Sequence, residues 1–252
     1  MASPAQEVPA HRGRRTVVGA AAALAAALAG AGCGVLPAPP GPDPSPAPPP
    51  TVAPATPTAL SPDGLSQVQR AAVRVRNVAC GGIGTGSGFA LEAHLLVTNS
   101  HVVAGASVLQ LDTYDGRDVE VDAAEAATIA DLALVRTAQA LPAVLPIAAA
   151  DPRAGDPVSI VGYPGGGPLR TSTGSVLGYT EDTLGANAGQ VLATDAEVEP
   201  GSSGSAVVDT AGAVVGVVYA RDDSGQSYAV PVSALRDLLA RPDSFQPLAG
   251  CD

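Results

Sequence analysis

The sequence contains no lysine and no tryptophan, and only 3% of its residues are aromatic. Its core must therefore be built from alanine, valine, leucine and isoleucine. All 13 basic residues are arginines, against 24 aspartates and glutamates, which gives a formal net charge of −11. A chain this acidic lacks the clustered cations that neutralise phosphate groups, which argues against a nucleic-acid partner. Without lysine, its glycine-rich segments cannot act as nucleotide-binding P-loops.

The chain has only three cysteines, and none of them is spaced like a zinc ligand. We therefore expect no metal, and no other cofactor is implied. Cys80 and Cys251 enclose almost all of the segment that can fold, and they form an even pair in an oxidising compartment. Their disulfide would close a very long loop, for which chain entropy gives roughly 4–5 kcal/mol. The alternative is two unpaired, buried thiols.

Residues 1–32 have the three parts of an export signal. The arginines of residues 12–15 give a positive region, Val17–Gly32 form an apolar run, and small residues lead to Cys33. The run is shorter than the ~20 residues that span a bilayer, which favours a signal peptide over a permanent membrane helix. The paired arginines at 14 and 15 are similar to a twin-arginine export signal. We therefore expect the protein to act outside the cytoplasmic membrane.

Two readings remain for Cys33. The segment Ala31-Gly32-Cys33 resembles the end of a lipobox, whose cysteine becomes the lipid-modified first residue of the mature protein. Gly30, however, stands where lipoproteins usually have leucine. The other reading is ordinary cleavage after Ala31, since Ala29-Gly30-Ala31 is an A-x-A site. We favour the lipid anchor, which leaves the protein tethered to the cell envelope; ordinary cleavage would release it.

Residues 33–65 are a proline-rich segment that cannot build a core. The 12 prolines between Pro37 and Pro62 favour extended polyproline II. At ~3.1 Å per residue, this part reaches on the order of 80 Å. It is therefore either a spacer that holds a folded domain away from the membrane or a low-complexity linker between signal and domain.

Residues 66–252 are predicted to be one all-β domain of two lobes. Six short β-rich runs precede a looser stretch near residues 137–155, and six follow it. This pattern predicts two six-stranded antiparallel β-barrels, at about 66–137 and 154–232. A short helix is expected at 233–240, with Ser233 as its N-cap. Its apolar face comprises Leu235, Leu238 and Leu239.

A serine between glycines is the candidate nucleophile. The glycines at 201 and 204 permit a sharp turn that projects the Ser203 Oγ and directs the amides of Gly201 and Ser203 inward as an oxyanion hole. Ser202 and Ser205 are alternatives by composition, but only Ser203 has a glycine on each side at the required offsets. A serine hydroxyl is a weak nucleophile and needs an adjacent base.

His101 is the candidate base, because it follows the buried run Leu95–Thr98 where a helical turn begins. His94, the other histidine near this strand, lies at its start among ordinary surface residues, so we expect it to be solvated and not to be the base. Asp131 enters another buried strand, where its carboxylate needs a partner, and the His101 Nδ1–H would be one. Alternatively, His101 is a purely structural histidine and Asp131 is a solvent-facing residue at the start of a strand.

Five motifs of this sequence resemble motifs of the chymotrypsin-like serine proteases of the HtrA/Deg type and occur in the same order as in that family. Together they extend over nearly all of Val73–Leu239. The resemblance implies that His101 is the general base, Asp131 its orienting acid and Ser203 the nucleophile, with Gly201 and Ser203 donating to the oxyanion. The positions of Cys80 and Cys251 are most similar to the periplasmic protease domain of acid-resistance (MarP-like) enzymes. The motifs are Gly84-Thr85-Gly86-Ser87-Gly88-Phe89, Val97-Thr98-Asn99-Ser100-His101-Val102-Val103, Asp131-Leu132-Ala133-Leu134-Val135, Gly162-Tyr163-Pro164-Gly165-Gly166-Gly167, and Thr194 to Gly204.

The resemblance also implies a substrate preference and an assembly state. Val198 falls near the S1 pocket of such proteases, which favours a small or medium apolar residue before the cleaved bond. Ser202 stands where asparagine or aspartate is usual, and Ser205 replaces a second glycine; neither change removes a catalytic atom. The PDZ domain common in this family is missing, so we expect a monomer.

The sequence therefore predicts an exported serine endopeptidase that hydrolyses proteins or peptides through an acyl-enzyme. One alternative is a pseudoprotease, a peptide-binding envelope protein whose triad is present but not assembled. Another is a purely structural lipoprotein. The presence of all three triad residues and both glycines argues against both alternatives.

Overall fold

The computed structural model describes residues 63–250, and these are mainly β-structure. The predicted export signal of residues 1–32, Cys33, nearly all of the proline-rich segment and Cys251 lie outside the described residues. Within residues 63–250, no helix is long and apolar enough to cross a membrane.

The first lobe is one antiparallel sheet. Before the second lobe begins, the sheet comprises β1 (Ala72–Ala79), β2 (Gly82–Glu92), β3 (Leu95–Thr98), β4 (Ala106–Thr113), β5 (Asp118–Val119), β6 (Val121–Ala127) and β7 (Ala133–Thr137). In this sheet β1 lies between β2 and β4, and β3 lies between β2 and β7. The long strands β1 and β2 pair in continuous register from Ala72 with Phe89 to Ala79 with Gly82.

The second lobe is a closed barrel of six antiparallel strands, which confirms the expected second barrel. Its strands are β8 (Pro157–Gly162), β9 (Arg170–Glu181), β10 (Gln190–Thr194), β11 (Ala206–Val208), β12 (Val214–Arg221) and β13 (Ser227–Pro231). Around the barrel they follow the order β10-β13-β12-β11-β8-β9.

The chain returns to the first lobe after the barrel. A last strand, β14 (Phe245–Pro247), pairs Phe245 with Ala127 of β6 and makes the first sheet eight-stranded. The sequence predicted a six-stranded barrel there; the described residues form an eight-stranded sheet instead, and the two further strands are β14 and the two-residue β5. The C-terminal segment thus ties the two lobes together.

Between residues 63 and 250, three short α-helices accompany the strands. They are α1 (Gln67–Ala71), α2 (Ser100–Val103) and α3 (Val232–Leu239). The prediction that Ser233 caps α3 is wrong, because the helix starts one residue earlier and Pro231 occupies the N-cap position. The N–H of Ser233 is instead satisfied from a distance, by the Asp151 carboxylate at 2.8 Å. Leu235 and Leu238 are buried, as expected.

The interior is aliphatic, as the composition requires. Among the largest fully buried side chains of the described residues, Phe89 is the only aromatic one, and the others are leucines and valines. Burial of such side chains stabilises a fold by about 1.5–3 kcal/mol each. The main core runs from the first sheet through Leu235 and Leu238 of α3, so the helix packs both lobes into one body.

Candidate active site

The helix α2 places His101 at the end of β3, as the sequence predicted. Its C-terminal carbonyls are satisfied by Asn77 of β1, whose Nδ2 donates to the carbonyls of Val102 at 3.0 Å and Ala104 at 2.9 Å. This buried contact fixes a helix of only four residues. The His101 side chain remains 50% exposed, so its ring is open to a substrate.

The Asp131 carboxylate is nearly fully buried and accepts three hydrogen bonds. His101 Nδ1 lies 2.5 Å from Oδ2, while the Ser100 Oγ at 2.5 Å and the His101 backbone N–H at 3.0 Å donate to Oδ1. Burial opposes ionisation, but the hydrogen bonds from His101 and Ser100 outweigh it and lower the pKa of Asp131 below 3.8. Asp131 is therefore ionised at neutral pH.

The Asp131 backbone is held by two asparagines. Asn99 donates its Nδ2 to the Asp131 carbonyl at 2.6 Å, and the Asn187 Oδ1 accepts the Asp131 N–H at 2.9 Å. Asn187 belongs to the second barrel, in the connection from β9 to β10. Its backbone N–H in turn donates to the Asp182 carboxylate at 2.7 Å, which also accepts the Tyr219 hydroxyl at 2.8 Å. Both lobes thus support the same acid.

The turn around Ser203 requires its glycines. Gly201 has φ +92°, and a Cβ there would lie 2.5 Å from the Gly165 nitrogen; Gly204 has φ +87°, and a Cβ there would lie 2.0 Å from the Ser87 carbonyl oxygen. Left-handed φ is strained for other residues. The turn can therefore form only with glycine at both positions.

The amides expected to bind an oxyanion are available. Within residues 63–250, neither the Gly201 N–H nor the Ser203 N–H has an acceptor. The Pro200 carbonyl accepts the Gly165 N–H at 2.6 Å. Because carbonyl and N–H point in opposite directions across a trans peptide, this contact directs the Gly201 N–H away from Gly165.

Two adjoining cavities bring the predicted residues together. His101 and Asp131 line a cleft of about 640 Å³ whose other walls are mainly apolar, including Leu184. Ser203 and Val198 line a smaller cavity of about 100 Å³. Ala220 lines both. The Ser203 Oγ donates to the carbonyl of Tyr219, the residue before Ala220, at 3.4 Å. Among the described residues, no hydrogen bond joins the Ser203 Oγ to His101.

Of the remaining predicted site residues, Cys80 lies within the described part of the chain. Cys80 is in the exposed turn between β1 and β2, where its Sγ lies 3.8 Å from the Ser107 Oγ. Cys33 and Cys251 are outside the described residues. Within residues 63–250, no group of three or more His, Cys, Asp or Glu side chains could hold a metal ion.

Sequence reasoning missed the residues that support the site. Ser87 and Ser100 lie inside recognised motifs, yet nothing in the motifs indicates that their hydroxyls bind the nucleophile loop and the acid. Asn187 lies in a loop of small residues with no pattern at all. Its contact with Asp131 joins positions 56 residues apart.

This fold, with a buried aspartate bonded to a histidine beside a serine turn, defines the class of chymotrypsin-like serine peptidases. Residues 86–217, just over half of the chain, match the trypsin-like peptidase domain. The chain therefore belongs to the trypsin-like peptidase family.

Named relatives confirm the HtrA-type resemblance. The chain is 30% identical over 190 residues to the Do-like serine protease HtrA of Bacillus subtilis, covering 66% of this chain and 42% of the relative. It is 28% identical over 212 residues to the serine protease Rv3671c of Mycobacterium tuberculosis, covering 78% and 52%. The crystal structure of the Rv3671c protease in its active form matches at a TM-score of 0.65 with 27% identity, covering 73% of this chain and 86% of that one. The chain spans about half the length of these curated relatives.

Proposed function

We propose that this protein is an exported serine endopeptidase that uses His101, Asp131 and Ser203. The Ser203 Oγ attacks the scissile carbonyl carbon while its proton passes to His101 Nε2. The C–N bond then breaks as that proton moves to the leaving amine, and water hydrolyses the acyl-enzyme by the same route. The N–H groups of Gly201 and Ser203 stabilise the oxyanion.

The hydrogen bond between Asp131 and His101 carries this proposal. The ionised carboxylate accepts the Nδ1–H at 2.5 Å, so the basic lone pair of the neutral ring resides on Nε2. That tautomer is required to take a proton from serine. Asp131 also stabilises the imidazolium that forms during the reaction.

The weak hydrogen bond from the Ser203 Oγ to the Tyr219 carbonyl is consistent with an active site that has no substrate bound. At 3.4 Å, the bond from its Oγ to the Tyr219 carbonyl is long. Rotation about the Cα–Cβ bond releases the hydroxyl, and catalytic hydrogen bonds commonly tighten only when substrate is bound. If the Ser203 hydroxyl stayed bound to Tyr219 and never reached His101, the protein would be a pseudoprotease. The chemical reactivity of Ser203 therefore decides between the endopeptidase and the pseudoprotease.

Labelling with a fluorophosphonate tests the proposal. We expect the purified protein to be modified at Ser203, identified by mass spectrometry, and the label to disappear in His101→Ala. His94→Ala is the matched control, since His94 is exposed and its Nδ1 contacts only the Thr137 carbonyl at 2.9 Å. A folded protein that binds peptides without labelling or turnover would instead be a pseudoprotease.

We propose Val198 as part of the S1 pocket. The cavity of about 100 Å³ beside Ser203 is small, and Val198, Val218 and Ala220 line it together with the charged residues Glu199 and Arg221. The small volume and the three apolar side chains support small or medium apolar residues before the cleaved bond. We propose that the substrates are proteins or peptides, that no cofactor takes part and that the chain acts as a monomer. Sedimentation analysis tests the last point.

We propose that Cys80 pairs with Cys251. The disulfide-bonded state of Cys80 supports the pairing, and such a bond fits an oxidising compartment. Peptide mapping without reduction should recover the two cysteines in one cross-linked fragment. Recovery of the two as free thiols would contradict the pairing.

We propose export by residues 1–32 and attachment through a lipid on Cys33. The apolar run before Cys33 and the small residues at its end support this reading. Metabolic labelling with a fatty acid should modify the protein, and Cys33→Ser should abolish the label. An unlabelled mature protein beginning at residue 32 would support ordinary cleavage instead.

A further inference from the structure

Ser87 lies on β2 in the first lobe and is fully buried, yet it contacts the nucleophile turn of the second lobe twice. Its backbone N–H donates to the Ser203 carbonyl at 2.8 Å. Its Oγ donates to the Gly201 carbonyl at 2.9 Å and accepts the Tyr163 N–H at 2.8 Å. One side-chain hydroxyl therefore links three segments of the chain.

These contacts fix the peptide planes on either side of the nucleophile. A trans peptide is planar, so holding its carbonyl also sets the direction of its N–H. The Gly201 carbonyl shares a plane with the Ser202 N–H, and the Ser203 carbonyl shares one with the Gly204 N–H. The peptide that carries the Ser203 N–H lies between these two fixed planes.

The packing around Ser87 leaves little freedom for this arrangement. A Cβ on Gly162 would lie 2.8 Å from the Ser87 Oγ, and one on Gly204 would lie 2.0 Å from the Ser87 carbonyl oxygen. Thr98 donates its Oγ1 to that carbonyl at 2.7 Å. Removing the hydroxyl would leave the buried Tyr163 N–H and the partly buried Gly201 carbonyl without this partner, which drives the turn to rearrange.

We infer that the Ser87 hydroxyl is a positioning group for the oxyanion hole. It holds the turn so that the Gly201 and Ser203 amides point at the developing negative charge. The inference rests on the proposed function, because it assigns a role in the same reaction. Ser87 is buried behind the turn and acts through these amides, so it stabilises the transition state more than the bound substrate.

Ser87→Ala in the full chain tests this role. We expect kcat to fall about 10- to 100-fold, because a displacement of about 1 Å in an active site can slow the reaction by about 100-fold. KM should change little. The affinity of a peptide boronic acid should fall in parallel, because its tetrahedral adduct on Ser203 needs the oxyanion hole. The affinity of a product peptide should stay the same.

Ser205→Ala is the matched control. Its Oγ is also buried and lies two residues after the nucleophile, but it has no hydrogen-bond partner among the described residues, so kcat should not change. Ser87→Cys keeps a weak donor and should give an intermediate kcat. Unchanged kcat and boronate affinity in folded Ser87→Ala would overturn the inference.

Amide hydrogen exchange separates this inference from the proposed function. Absence of fluorophosphonate labelling in the unmodified protein would refute the proposed chemistry alone. Exchange at Tyr163 and Ser202 would then still test the positioning role. Faster exchange of both amides in Ser87→Ala supports it, and unchanged exchange overturns it.

Discussion

The Asn187 side chain accepts the backbone N–H of Asp131 at 2.9 Å, so a loop of the second barrel supports the acid of the first lobe. Asn187 is itself held by Asp182, whose carboxylate binds the Tyr219 hydroxyl. Burial opposes ionisation of Asp182, but hydrogen bonds, led by the Leu184 N–H, lower its pKa below 3.8. The Asp182 carboxylate is therefore ionised at neutral pH and can accept the hydrogen bonds that hold Asn187 in place.

Asn187→Ala is expected to lower kcat/KM about 3- to 10-fold, which corresponds to about 0.7–1.4 kcal/mol. The Asp131 N–H loses its acceptor, and the carboxylate that orients His101 becomes less well fixed. Steady-state kinetics on a peptide substrate measure the effect. Asn187→Asp keeps an acceptor oxygen but replaces the Nδ2 that donates to Asp182 at 3.1 Å with a second carboxylate oxygen, so it should not restore full activity. Equal activity of Asn187→Ala and the unmodified enzyme would show that the loop does not support the acid.

Gly201→Ala is expected to reduce kcat by about 100-fold or more, the cost of losing one oxyanion donor. The new Cβ would lie 2.5 Å from the Gly165 nitrogen, so the peptide bearing the Gly201 N–H must move. Gly225→Ala is the control, because φ is +89° there but no atom lies within 4 Å of the added Cβ. Both variants introduce backbone strain, and only the first obstructs the hole. Similar kcat values for the two would contradict this assignment.

Asp131 makes folding stability depend on pH. Its pKa is lowered in the folded protein, so its ionised form stabilises the fold above pH 3.8, and this contribution is lost as the pH falls through the folded-state pKa. Denaturant unfolding should therefore show a steeper loss of stability below about pH 4 in the unmodified protein than in Asp131→Asn.

The matched variant for this measurement is Asp223→Asn, at an exposed carboxylate of the β12–β13 turn. It should follow the unmodified protein across the whole pH range. Superimposable curves for Asp131→Asn and Asp223→Asn would show that the Asp131 interactions do not stabilise the fold. In activity assays, Asp131→Asn should lose about 10⁴-fold in kcat, because an amide does not hold the required tautomer.

Local patterns were sufficient to predict much of this molecule. The second barrel closes from six runs of alternating or apolar residues, each recognisable within its own segment. His101 and Ser203 could be proposed from the sequence because a turn after a buried strand and a serine between glycines are local features. Gly201 and Gly204 have the positive φ that such a turn requires.

Features that depend on distant partners were not predicted. The strand Phe245–Pro247 is three residues long and contains proline, and it exists because it pairs with β6 more than a hundred residues earlier. Ser233 resembles an N-cap, but Asp151 satisfies its N–H instead. Ser87 contacts Gly201 across 114 positions, which no motif spacing reveals.

Substrate preference gives the last prediction, because the cavity beside Ser203 is small. Val198→Ala removes two methyl groups from its wall and should raise the preference for leucine over alanine before the cleaved bond about tenfold, the effect of one or two methylenes in an apolar pocket. A peptide series differing only at that residue measures the change as a ratio of kcat/KM values. Val207→Ala is the control, since Val207 is fully buried in the barrel core and does not line the cavity. It should lower stability without changing the ratio. An unchanged ratio in Val198→Ala would show that another part of the cleft selects the residue before the cut.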